Sequence, residues 1–241
     1  MTNFALLNNA DHQDLRIITE RSAAYGDDVM YAMTFPFEFR SVQAHYPILF
    51  HRDAKGDFYP VALFGFNDRE NLFLDGAGWS AAYVPAMIRR QPFLIGFQDA
   101  KDPGVTAPGR VLSIDMDHPR VSKDSGEALF QPLGGRTPYL EGMANLLESI
   151  YGGYVHCKAF VSAVREHGLI EPVTFEIELD DRSRNQLLGF HTIDEEKLQA
   201  LSGDTLAAFA KSGFLMPLFM ILASMSNIRG LIELKNRRLK G

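Results

Sequence analysis

FPFEFRSVQAHYPILFHRDAKGDFYPVALFGFNDRENLFLDGAGWSAAYVPAMIRRQPFLIGF, residues Phe35 to Phe97, is the stretch whose reading decides the fold. It holds the single tryptophan and more than half of the 18 phenylalanines, so a core must be built around it. Tyr46–Phe50 and Phe58–Phe66 are strand-like runs, and between them HRDAKGD supplies Gly56 and flanking aspartates for a turn. That pattern predicts a β-hairpin. Asn71–Leu74 reads as a third short strand and Phe93–Phe97 as a fourth, with one short helix expected over Ala81–Arg90.

The same stretch carries Gly76-Ala77-Gly78-Trp79-Ser80-Ala81, a match to G-x-G-x-x-A, with Asp99 about twenty residues on. A dinucleotide site is not the reading. A hairpin precedes the motif where a βαβ unit is needed, Pro85 shortens the following helix, and Trp79 crowds the place where a pyrophosphate must approach. A glycine turn that packs Trp79 inward is the simpler account.

Working outward, the first residues give a short strand at Leu15–Ile18 and a turn at Ala24–Asp28 before Val29–Tyr31. Lys101–Gly109 reads as a loop, Arg110–Met116 as a strand ended by Pro119, and Thr137-Pro138 as an N-cap and first helical residue. Tyr139, Met143, Leu146, Leu147 and Ile150 share one helical face. Gly152-Gly153 is expected to weaken or break that helix. A second helix then carries Cys157, Phe160, Val161 and Val164 and stops at Gly168. Val173–Leu179 alternates strictly and pairs with Gln186–Phe190 in a second hairpin. Thr192–Glu195 fits a capping box, Asp204 is expected to cap the next helix, and a long final helix is expected from about Met216 to Leu239, burying Ile221, Met225, Ile228 and Ile232. The fold class is therefore α+β: mostly antiparallel sheet in the N-terminal half, a second hairpin, covering helices and a long C-terminal helix, in a single domain over 1–241.

Composition restricts function. A net charge of −6 offers no general attraction to nucleic acid or anionic lipid. One cysteine, Cys157, excludes an intrachain disulfide framework. The first residues show no basic segment followed by an apolar one, and the apolar run Phe214–Met225 is short for a membrane span, so a soluble cytoplasmic protein with a buried helix there is expected.

No chemistry stands out. G-x-S-x-G, H-E-x-x-H and P-loop patterns are all absent. His12-Gln13-Asp14 could supply two ligands of an iron facial triad, with His118 or His191 as the third, but these are common residue types, and the expectation is no metal and no cofactor. Arg229, Lys235, Arg237, Arg238 and Lys240 suit the C-terminal end of a helix dipole and equally a partner contact. The segment proposed for a ligand or partner is Trp79 to Arg90. Tyr83 and Met87 at i, i+4 would share a helical face beside Trp79, and Arg89 and Arg90 would add cations for a flat or anionic group. The competing account makes Trp79 and Tyr83 core residues.

As a whole the chain resembles the bacterial SapC family. DHQDLRIITERSAAYGDDVMYA, FPFEFRSVQAHYPILF, NLFLDGAGW with YVPAMIRRQPFLIGF, IDMDHPRV, LIEPVTFEIELDD, GFHTIDEEKL and ASMSNIRGLIELKNRR carry the resemblance over nearly the whole length. The family takes its name from a surface-layer gene cluster, and its members are often encoded near TonB-dependent receptors, halogenase-like flavoproteins and oxygenase-like proteins. The resemblance implies a cytoplasmic binding or accessory protein working with such a nutrient-uptake or modification cluster on an unknown small molecule. An oxygenase-like enzyme using non-haem iron and a surface-layer component are the alternatives. It brings no catalytic residues with it.

Overall fold

The turn chemistry of HRDAKGD closes a hairpin in the computed structural model, which describes residues 3–98 and 109–240. Asp53 accepts the backbone N–H groups of Lys55 and Asp57 through one carboxylate oxygen, and Gly56 takes a φ of 86°. The flanking strands β4 (Ile48–Arg52) and β5 (Phe58–Leu63) pair antiparallel, from Ile48 opposite Ala62 to Arg52 opposite Phe58. The architecture is α+β, with antiparallel sheets, several helices and a long C-terminal helical stretch. Of the loop expected at Lys101–Gly109, residues 101–108 lie outside the described residues, as does Asp99, while Gly109 already belongs to a strand.

The chain divides into two compact units. The first takes Met1–Asp27 and Ala86–Tyr151. Its larger sheet has the order β1 (Phe4–Leu6), β9 (Gly109–Asp115), β8 (Phe93–Gln98), all antiparallel. A smaller one places β2 (Arg16–Ile17) between β10 (Val121–Ser122) and β11 (Glu127–Ala128). Leu15, Ile17, Phe93, Ile114, Leu129, Leu140 and Leu147 form its core. Helix α3 (Pro138–Glu166) opens as the sequence predicts, with the Thr137 hydroxyl oxygen accepting the N–H of Leu140. It then runs unbroken for 29 residues, through Gly152-Gly153, which corrects the expected break. The phenyl ring of Phe37 lies where a Cβ on Gly153 would stand, 2.6 Å from its ring atoms. The glycine therefore admits a neighbour rather than ending the helix.

The second unit takes Asp28–Pro85 and Gly152–Gly241, and so counts the latter part of α3. Its five-stranded antiparallel sheet has the order β12 (Ile170–Glu178), β13 (Arg184–Ile193), β4, β5, β3 (Tyr31–Met33). In β12 the alternation reads out as expected, with Ile177 buried between exposed Glu176 and Glu178. Its pairing with β13 shifts by one residue between Val173 and Phe175, next to Gly189, whose φ of 82° suits a bulge. β13 runs on through Thr192, so the capping residue of α4 (Glu195–Gln199) is Asp194 and not Thr192. Ser202, not Asp204, caps α5 (Gly203–Lys211), while Asp204 sits in the first turn. A short α1 (Phe39–Val42) buries Phe39 and Val42.

Two further expectations change. Asn71–Leu74 is not a third strand: Asn71 turns the chain by accepting the N–H of Phe73, and only β6 (Leu74–Asp75) pairs, with β7 (Gly78–Trp79). The glycine motif is thus the turn of a small hairpin. The helix expected over Ala81–Arg90 is only α2 (Ala86–Arg89), in the first unit. Pro85 holds Val84 out of the helical region, so the helix cannot start earlier. Tyr83 and Met87 therefore share no helical face.

The final helical stretch is α6 (Leu215–Ser224) and α7 (Asn227–Lys240), interrupted at Met225-Ser226. Serine hydroxyls intercept carbonyls there, Ser224 donating to Ile221 and Ser226 to Ala223. The interruption shifts the buried face. Leu218, Ile221, Ser224 and Leu231 are buried, whereas Met225, Ile228 and Ile232 are only partly so. By length and composition Leu215–Lys240 is apolar enough to cross a membrane, with a mean hydropathy of 1.5 over 18 residues. Met216 and Phe219 are its exposed large apolar side chains in α6.

Candidate functional site

Of the residues singled out from sequence, Trp79 and Tyr83 lie in the second unit and Arg89 and Arg90 in the first. The Trp79 indole N–H donates to the Tyr46 hydroxyl at 2.7 Å, and that hydroxyl donates in turn to the Tyr83 carbonyl. Tyr46 is fully buried, and burial pushes its phenol well above the ordinary range. The Tyr83 hydroxyl donates to the buried Glu38 at 2.8 Å, which also accepts from Thr34. Both aromatic residues are half-buried and hydrogen-bonded to buried partners. In the first unit Arg90 donates to the Phe93 carbonyl at 2.8 Å, and burial lowers its pKa.

The second unit holds an open groove of about 570 Å³, within the range of small-molecule sites. One wall is α3. Tyr154, Lys158, Ser162 and Arg165 project along it at i, i+4, i+8 and i+11, with Cys157 and Val161 beside them. The other wall is the β4–β5 turn with Asp53, Lys55 and Asp57, continued by Phe58 and Tyr59 of β5 and Met33 of β3. The floor is apolar and soft, made by Met33, Phe58, Cys157 and Val161, and the rim is charged.

Local chemistry sets the state of each group. Desolvation pushes the Cys157 thiol up to about 12, so it is an apolar contact and not a nucleophile at neutral pH. Desolvation also pushes the Tyr59 phenol up to about 12, and its oxygen lies 3.2 Å from His51 Nδ1. His51 in turn stacks on Tyr31, with ring centroids 5.1 Å apart. At the rim, the Lys158 ammonium lies 4.8 Å from the centre of the Tyr154 ring, and Arg165 is 3.9 Å from Asp57. Among the described residues neither Lys55 nor Lys158 forms an ion pair.

Among the described residues no group of three or more His, Cys, Asp or Glu converges. His12 accepts the N–H of Asn8 through Nδ1, and His118 that of Arg120. Three of the C-terminal cations make contacts outside their own helix. Lys235 pairs with Glu70, Arg238 donates to the carbonyls of Asn71 and Leu74, and Lys240 pairs with Asp180 at 2.5 Å.

The SapC family model matches residues 7–231. The chain belongs to the SapC family. The match runs through both units and so takes in every groove residue. No curated protein and no solved structure matches the chain. Sequence reasoning about this SapC-family chain missed the groove. Its one available signal was Tyr154, Lys158, Ser162 and Arg165 at helical spacing beside the stripe Cys157–Phe160–Val161–Val164. Gly152-Gly153, read as a break, hid the continuity of the helix.

Proposed function

We propose that this SapC-family chain is a cytoplasmic binding or accessory protein that holds a small molecule in the groove of its second unit. The observation that carries the reading is the groove itself: a concave apolar floor, a charged rim and a helix wall without an activated nucleophile. A buried thiol kept protonated is in keeping with a reducing compartment. In a gene setting of uptake and modification proteins, such a site would retain or hand on a compound that those proteins import or alter.

The test is native mass spectrometry of the protein purified gently from its own cells, beside Ser162→Trp. Ser162 lines the groove and is only partly buried, so the larger side chain fills space with little cost to the core. A bound mass on the wild type that the variant lacks supports the reading. A bound mass carried equally by both, or by neither, counts against it.

A further inference from the structure

The geometry points to a ligand with one carboxylate head and an extended apolar body, the head seated between Lys158 and Arg165. This rests on the groove being a binding site and adds the class of compound. Three cations, Lys55, Lys158 and Arg165, face two carboxylates, Asp53 and Asp57, which leaves one positive charge for a ligand to balance in a chain whose net charge is −6.

The two carboxylates are not equivalent. Asp53 is committed to its turn, accepting the backbone N–H groups of Lys55 and Asp57 at 2.8 and 2.9 Å. Asp57 reaches Arg165 only at 3.9 Å, too long for a hydrogen bond, and its side chain is 71% exposed. A ligand carboxylate can therefore make the short paired bonds that Asp57 does not. Lys158 is held against the Tyr154 ring, which fixes its ammonium at the rim at lower entropic cost than a free lysine. Below the rim, Phe58, Met33 and the protonated Cys157 present apolar and sulfur surface and no charge, which suits an alkyl or aryl body. A cationic or zwitterionic head would meet Lys158 and Arg165 unfavourably. A dianionic phosphate monoester would overcompensate a single positive charge.

The experiment is titration calorimetry with dodecanoate, dodecanol and dodecyl phosphate on wild type, Lys158→Ala, Arg165→Gln, Asp57→Asn and Ser162→Trp. Dodecanoate should bind about tenfold tighter than dodecanol. Lys158→Ala and Arg165→Gln should each remove most of that advantage while leaving dodecanol unchanged, and Asp57→Asn should tighten dodecanoate severalfold. These opposite signs at exposed rim residues cannot come from a loss of folding. Equal binding of dodecanoate and dodecanol, both lost in Ser162→Trp, overturns the carboxylate inference and leaves the groove reading standing. Dodecyl phosphate binding tighter than dodecanoate also overturns it. If no probe binds, the carboxylate inference falls and the groove reading stands or falls on the native mass spectrum; if Ser162→Trp binds as wild type does, both fall.

Discussion

Replacing Asp27 by asparagine tests the largest electrostatic commitment of the first unit. The Arg120 guanidinium is 1% exposed and lies 2.6 Å from Asp27, whose side chain is fully buried. Arg120 also donates to the carbonyls of Ile18 at 2.9 Å and Glu20 at 2.6 Å, and Asp27 accepts from Arg21 and from the N–H of Ser22. Asp27→Asn keeps the shape but leaves a buried cation without its carboxylate. Breaking one side of such a pair costs roughly 3–5 kcal/mol, a large part of the roughly 5–15 kcal/mol that holds a whole protein folded. For a chain of this length that corresponds to a fall in Tm on the order of 10 °C. Urea denaturation followed by circular dichroism measures it, and the fluorescence of Trp79, which lies in the second unit, read beside it checks whether the chain unfolds in one step. Asp27→Leu combined with Arg120→Met should recover much of the loss, because an apolar pair removes the unpaired charge along with the salt bridge. A cost for Asp27→Asn of less than about 1 kcal/mol, the level of a surface pair, would refute the reasoning.

Other predictions follow from single contacts. Ser224 accepts the N–H of Ile48 at 2.8 Å in full burial, so Ser224→Ala should destabilise by about 1–3 kcal/mol in denaturant melts, since it orphans that donor. Thr137→Ala removes the N-cap of α3 and should cost about 1 kcal/mol, measured the same way. Burial, with the nearby Arg120 charge, holds the His118 imidazole below its ordinary 6.5, so the unfolded chain takes up the proton first as pH falls. Its contribution is complete above about pH 6.5 and is lost as pH falls below that value; His118→Gln should flatten the stability profile in this window. Cys157 should react with a thiol reagent at pH 8 far more slowly than a free cysteine until denaturant is added, and fast reaction in the native state would show that the thiol is not buried.

What the sequence determined by itself was local. HRDAKGD chose the first hairpin because an aspartate and a glycine satisfy that turn from within, and the alternation of Val173–Leu179 set which face of β12 is buried. Thr137-Pro138 marked the start of α3 for the same reason, since capping is settled within one helical turn. Tertiary structure decided whatever depended on a distant neighbour. Gly152-Gly153 stayed helical beside the ring of Phe37, and the stretch from Phe214 was interrupted where serines took its carbonyls, which turned Leu231 inward in place of Ile232. Tyr83 could share a face with Met87 beside Trp79 only under a helix that Pro85 does not allow; the polar atoms of Trp79 and Tyr83 are held by Tyr46 and Glu38, more than thirty positions away. The groove is the clearest case. Residues 33, 53–59 and 154–165 carry no common motif, and only strand pairing beside one unbroken helix sets a row of cations over a sulfur and aromatic floor.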